Sequence, residues 1–144
     1  ITEIVDRYRI PATLIELEIT ESTFLEDKEG VIAIINQLHQ LGYKIAMDDF
    51  GSGYSSLNLL NILPIDVLKI DKEFLRSTVD SQKGKIVMRN VINMAKELGM
   101  TVITEGVETK EEVDFLFETE CDKIQGYYYS KPLSIIDFEN KYYV

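Results

Sequence analysis

Ala46-Met47-Asp48-Asp49-Phe50-Gly51-Ser52-Gly53-Tyr54-Ser55-Ser56-Leu57 is the segment that settles the architecture. The apolar run from Lys44 to Met47 reads as a buried strand, and Ser55 to Leu60 reads as the opening of a helix. Between them lie two adjacent carboxylates and a loop with glycines at 51 and 53. Two unpaired acids at the end of an apolar strand are costly to desolvate unless a cation or hydrogen-bond donors compensate them. Taken alone, Asp-Asp-x-Gly reads equally as a solvated turn with an Asp helix cap. The flanking sequence decides between the two.

Downstream, Asp66 to Asp71 (DVLKID) is a further strand with Val67, Lys69 and Asp71 on one face. A lysine facing inward from a strand calls for a carboxylate or phosphate partner; on a solvent-facing side it needs none. Upstream, Leu14 to Thr20 (LIELEIT) alternates, with Leu17 and Ile19 pointing one way and Glu16, Glu18 and Thr20 the other. The strand before the loop runs from Tyr43 to Asp48, with Ala46 and Asp48 on one face. Thr101 to Glu105 (TVITE) is the fourth strand, and Lys123 to Gln125 a short fifth that runs into Gly126-Tyr127-Tyr128-Tyr129. Helical spacing recurs between the strands. Val31, Ile34, Ile35, Leu38 and Leu41 precede Gly42; Ile86, Val87, Val91, Met94, Ala95 and Leu98 precede Gly99. Glu108 to Glu118 forms another helix with Val113, Leu116 and Phe117 as its buried side, and Ser134 caps a last one, Ile135 to about Tyr142. His39 falls off its helix's apolar stripe and reads as a surface residue.

A weak repeat links two of these units: Gly42 stands six residues before Asp48, and Gly99 six residues before Glu105. Repeated strand–helix units with short connections predict an α/β fold with parallel strands and right-handed crossovers. All five strands end on polar residues, Glu18, Asp48, Lys69, Glu105 and Gln125. Carboxyl ends of strands are where (β/α) barrels and open α/β sheets place their chemistry.

The 144 residues suit one domain or part of one, and 45% hydrophobic content supports a core. The single cysteine, Cys121, excludes an internal disulfide and predicts a packed thiol in a reducing, cytoplasmic setting. A net charge of −10 argues against duplex nucleic acid, which requires clustered Lys and Arg. No run is long and apolar enough to span a bilayer, so no membrane contact by this segment is expected. Glu18, Asp48, Asp49 and Glu105 supply only oxygen ligands, which favours a hard cation such as Mg²⁺ or Mn²⁺ over Zn²⁺. Such acids can hold a metal pair for in-line attack on a phosphodiester, with Lys69 orienting or deprotonating water or stabilising a phosphate oxygen. Asp48 and Asp49 serve one site only if the chain turns at Asp49, a turn that Gly51 and Gly53 permit.

LEITES (17–22), DDFGSGYSSL (48–57), LKID (68–71), TEGVET (104–109) and QGYYYSKP (125–132) together resemble the EAL domain. That family comprises bacterial cyclic di-GMP phosphodiesterases with a TIM-like (β/α) barrel and two Mg²⁺ or Mn²⁺ ions, producing 5′-pGpG. The resemblance implies that Glu18, Asp48, Asp49 and Glu105 are metal ligands and that Lys69, with Glu105, is catalytic. It implies that Glu108 and Gln125 support the metal site and the substrate. It also implies that Glu21 anchors the loop of Phe50, Gly51, Ser52 and Gly53, which couples substrate binding to dimerisation. Ser52 stands where threonine is commoner and keeps the hydroxyl. The Glu-Ala-Leu signature and the strand bearing the metal-binding asparagine are absent.

A (β/α) barrel takes about 250 residues, so the expectation is an incomplete barrel of about five strand–helix units, the C-terminal part of the domain over residues 1–144. Its open edges invite a homodimer or a strand-exchanged assembly. Three readings stay open at this point. The parent domain is a cyclic di-GMP phosphodiesterase, or a cyclic di-GMP receptor without catalysis, or this segment is an inactive fragment that associates through its edges. Tyr127, Tyr128 and Tyr129 are candidates for base stacking, or else alternate between core and surface, and Pro132 is placed at the pocket rim.

Overall fold

The computed structural model describes residues 1–20, 23, 27–52 and 57–143. Five parallel strands lie in the order β1-β2-β3-β4-β5: Glu16–Thr20, Lys44–Phe50, Val67–Ile70, Thr101–Thr104 and Lys123–Ile124. Helix α1 (Thr2–Arg7) and a 3-10 turn (Ala12–Leu14) lead into β1. Helices α2 (Lys28–Gln40), α3 (Leu57–Ile62), α4 (Lys72–Val79), α5 (Gln82–Glu97), α6 (Lys110–Glu118) and α7 (Ile135–Tyr142) follow in turn. The arrangement is that of five successive units of a (β/α) barrel, as the strand–helix alternation predicts.

Pleating sorts the two faces of the sheet. Ile45 and Met47 of β2, Leu68 and Ile70 of β3 and Val102 of β4 pack beneath the helices with Ile35, Leu75, Met88, Ile92 and Leu116 in one core. The opposite face holds a small apolar layer of Ala46, Val67 and Ile103. Above it, toward the carboxyl ends, that face turns polar. Both faces of β2 and β3 are therefore buried, as central parallel strands require.

Gly42 at φ +90 and Gly99 at φ +84 close α2 and α5 in the left-handed conformation that only glycine adopts cheaply, so the repeat marks two matched helix stops. Several expected faces move. In α5 the buried stripe is Met88, Val91, Ile92 and Ala95, while Ile86 and Val87 are 55% and 48% exposed. In α6 Phe115 is buried and Phe117 is 72% exposed, and in α2 Ile34 and Leu41 are exposed around a buried Ile35. A stripe of period 3.6 can be read one residue out of phase, and the sheet decides which phase is covered. Helix α4 is not among the elements expected above: it is only eight residues long, and its apolar face of Phe74, Leu75 and Val79 covers barely two turns. Strands β1, β3, β4 and β5 are a residue or two shorter than read, β2 extends to Phe50, and Ser134 caps α7 by accepting from the Asp137 N–H.

Candidate active site

The site grows from β3. Alternation along Val67–Ile70 turns Lys69 away from the helices and onto the polar face, where it is 7% exposed. Register then brings acids to it from both sides. Thr20 pairs with Asp48 and Glu18 with Ala46 across β1 and β2, and Lys69 pairs with Ile103 across β3 and β4. Glu18, Asp48 and Glu105, each beyond or near the end of its strand, close on one ammonium. Lys69 Nζ donates to Glu18 Oε1 and lies 2.9 Å from Asp48 Oδ1 and 3.0 Å from Glu105 Oε1. Burial acts to lower the Lys69 pKa, but the carboxylates of Glu18, Asp48 and Glu105 around the ammonium outweigh it and hold the group above the ordinary lysine range.

Asp49 turns as the shared-site requirement demands. Its φ of +57 and a register shift between Met47 and Phe50 interrupt the β2–β3 ladder. Loss of some hydration and the like charges of Asp48, Asp71 and Glu18 raise the pKa of the exposed Asp49, against the pull of Lys69. Phe50 ends β2 in the core, edge-on to Phe74 with ring centres 6.3 Å apart. Gly51, at φ +94, lies against that Phe74 ring, where a Cβ would come within 2.5 Å. The Ser52 N–H donates to Asp49 O at 3.1 Å. Glu21 and Gly53, read above as loop anchors, lie outside the described residues.

Glu108 does not join the Lys69 cluster. Its carboxylate is held by Lys72 Nζ at 3.2 Å and Arg76 Nη2 at 3.1 Å, one turn apart on α4. These contacts, Lys72 foremost, lower the Glu108 pKa. The backbone N–H groups of Glu108 and Thr109 donate to Glu112 Oε2, which completes the capping box of α6. Gln125 continues the β4 pairing, its N–H donating to Thr104 O at 2.9 Å. A cleft of about 620 Å³ is lined by Asp71, Lys72, Glu105, Glu108 and Gln125 together with Tyr127, Pro132, Leu133, Phe138 and Tyr142. Lys131 Nζ, also in its lining, lies 5.7 Å from the Tyr127 ring centre. Tyr127, Tyr128 and Tyr129 are all exposed, rather than alternating with the core, because they form a turn. Asp71 is the residue expected to share a face with Lys69, while Lys72 and Arg76 are not among the expected site residues; the i, i+4 pair of bases directly after LKID is the available signal.

His39 is not a free surface residue. Its Nε2 lies 2.8 Å from Asp66 Oδ2. Cys121 packs as expected, and burial raises its thiol pKa.

Among the described residues no three His, Cys, Asp or Glu side chains stand together as a ready metal shell, since Lys69 lies between the acids. The donor chemistry nonetheless fits a hard cation. Asp48 Oδ1 is buried and makes no hydrogen bond: Lys69 approaches it closely enough for an ion pair but off the hydrogen-bonding directions. Three carboxylates, those of Glu18, Asp48 and Glu105, also share the single charge of Lys69.

The EAL domain model matches residues 1–132. The chain belongs to the EAL domain family. It is 38% identical over 130 residues to the cyclic di-GMP phosphodiesterase NbdA of Pseudomonas aeruginosa, covering 90% of this chain and 17% of NbdA. The EAL enzyme Bd1971, solved with cAMP and cyclic di-GMP bound, superposes at a TM-score of 0.90 and 34% identity over 97% of this chain and 37% of its own. A manganese and cyclic di-GMP complex of Klebsiella pneumoniae BlrP1 superposes at 0.84 and 31% identity over 90% of this chain and 33% of its own. This EAL chain thus spans about a sixth of its curated relative and about a third of these two structures.

Proposed function

We propose that this chain contributes most of the active site of a domain that hydrolyses cyclic di-GMP to linear 5′-pGpG in bacterial second-messenger signalling. The observation that carries the reading is the convergence of Glu18, Asp48 and Glu105, from three separate strand ends, on the buried ammonium of Lys69. A cleft of about 620 Å³ lined by acids, by Lys72 and Lys131 and by aromatic side chains suits a nucleotide whose base packs against Tyr127 and whose phosphate faces Lys72.

Glu18, Asp48, Asp49 and Glu105 are the residues that would hold Mg²⁺ or Mn²⁺. Such ions supply positive charge for a phosphodiester and a nucleophile at neutral pH. Lys69 orients the attacking water and offsets charge on a phosphate oxygen; the water oxygen bonds to phosphorus as the P–O3′ bond breaks, and the proton the water gives up is balanced by the one the 3′-oxygen takes on as it leaves as a hydroxyl. Gln125 and Glu108 line the substrate's path, Glu108 held in place by Lys72 and Arg76. The loop of Phe50, Gly51, Ser52 and Gly53, with Glu21, links this site to a second copy in a homodimer or a strand-exchanged assembly of the cytoplasmic domain. The isolated chain of 144 residues is inactive until the rest of the barrel is supplied.

The test is Mn²⁺-dependent formation of 5′-pGpG by the full-length parent domain. Lys69→Met is expected to lower turnover about 100-fold or more, the scale of losing one charge-stabilising donor, and Glu18→Gln to act likewise. Unchanged turnover in both variants rejects the assignment. Binding of cyclic di-GMP with no hydrolysis by the wild-type domain identifies a receptor instead.

A further inference from the structure

The repeat that sets Gly42 six residues before Asp48 and Gly99 six before Glu105 has a counterpart in hydrogen bonds at the opposite end of the sheet. The Ile45 N–H donates to Asp66 Oδ2 at 2.8 Å, and the Val102 N–H donates to Asp122 Oδ2 at 2.8 Å. Ile45 lies three residues before Asp48, and Val102 three before Glu105. Each aspartate stands directly before the next strand, Asp66 before β3 and Asp122 before β5. A basic side chain three residues before each glycine completes the pair. His39 Nε2 meets Asp66 Oδ2 at 2.8 Å, and Lys96 Nζ lies 3.9 Å from Asp122 Oδ1 while donating to Glu120 O at 2.7 Å. Asp66 also joins the ladder through its backbone, donating to Ile45 O and accepting from the Thr101 N–H, both at 2.9 Å.

A parallel ladder repeats every two residues, so slippage along it is resisted by the side-chain pattern and by whatever pins the strand. A two-residue slip carries a side chain about 6.6 Å, more than twice the contacts Asp48 and Glu105 make with Lys69. A carboxylate that takes the strand's own N–H opposes such displacement with a charge-assisted bond. Without it that N–H loses its partner.

We propose that Asp66 and Asp122 are positioning residues: each pins the strand that carries one of the acids on Lys69 and so sets the height of Asp48 and Glu105. For its consequence in hydrolysis the inference rests on the function proposed above, but the placement can be tested separately. Double-mutant cycles on this chain, read by the urea midpoint, serve for that. Asp66→Ala keeps the backbone bonds and removes only the side-chain link. It is expected to change by half or more the midpoint shift produced by Asp48→Asn, while leaving that of Glu105→Gln unaltered. Asp122→Ala is expected to do the reverse. Asp66→Asn and Asp122→Asn keep an oxygen acceptor and restore the wild-type response. Additive shifts in all four pairs, or equal coupling of each aspartate to both acids, overturn the proposal. If the alanine variants do not fold, His39→Ala and Lys96→Ala, which only loosen the carboxylates, carry the same four pairs under the same criteria. Paired coupling in a protein whose parent domain fails to hydrolyse cyclic di-GMP would reject the function and leave the positioning role standing.

Discussion

Asp49 carries two burdens at one residue. Its backbone occupies the left-handed region at φ +57, and its carboxyl group faces the like charges of Asp48, Asp71 and Glu18. Asn tolerates that conformation and removes the charge, so Asp49→Asn is expected to hold or raise the urea midpoint. Asp49→Val adds a branched Cβ where φ is positive and is expected to cost about 1–2 kcal/mol. Acid titration separates this residue from Glu108. A carboxyl whose folded pKa is raised binds protons more readily folded than unfolded, so Asp49's unfavourable contribution fades as pH falls through that raised value. Glu108, with its pKa lowered by Lys72 and Arg76, contributes stability above the ordinary carboxylate range and loses it as pH falls through its depressed value. Midpoints of wild type, Asp49→Asn and Glu108→Gln compared between about pH 7 and pH 3 should therefore converge from opposite sides as both carboxyls protonate.

Among the elements, α5 shows how a helical stripe is chosen. Met88 and Ile92 are sealed against the sheet, while Ile86 and Val87 on the adjoining face are exposed. Met88→Ala is expected to cost about 2–5 kcal/mol, and Ile86→Lys to stay within about 0.5 kcal/mol; urea denaturation of the two variants checks the phase directly. A similar contrast holds at the end of β2. Gly51→Ala sets a Cβ within 2.5 Å of the Phe74 ring at φ +94, and a loss of about 1–3 kcal/mol is expected. In the sequence Gly51 was legible as a permissive turn residue. The aromatic ring that forbids any larger side chain belongs to α4, and that the two meet depends on how α4 packs after β3, which local sequence does not state.

At the scale of the molecule, β1 and β5 are the edges of the described sheet, and α7 leaves Ile135, Ile136 and Tyr143 exposed. The five-residue edge of β1 and an uncovered apolar helix favour association. Sedimentation velocity of the chain is expected to show a concentration-dependent oligomer; a single monomeric species across the range would refute the proposed assembly. Pleat alternation and the two glycine stops are local properties, repeated every two residues or fixed by one backbone angle, and the amino-acid order by itself determined them: parallel strands, acids at their carboxyl ends, Lys69 facing away from the helices. Which of those acids meet the ammonium depends on inter-strand register, a relation between residues dozens of positions apart. Only the tertiary structure could therefore bring Glu18, Asp48 and Glu105 together, turn Glu108 aside to Lys72 and Arg76, and place Asp66 beneath the strand that bears Asp48.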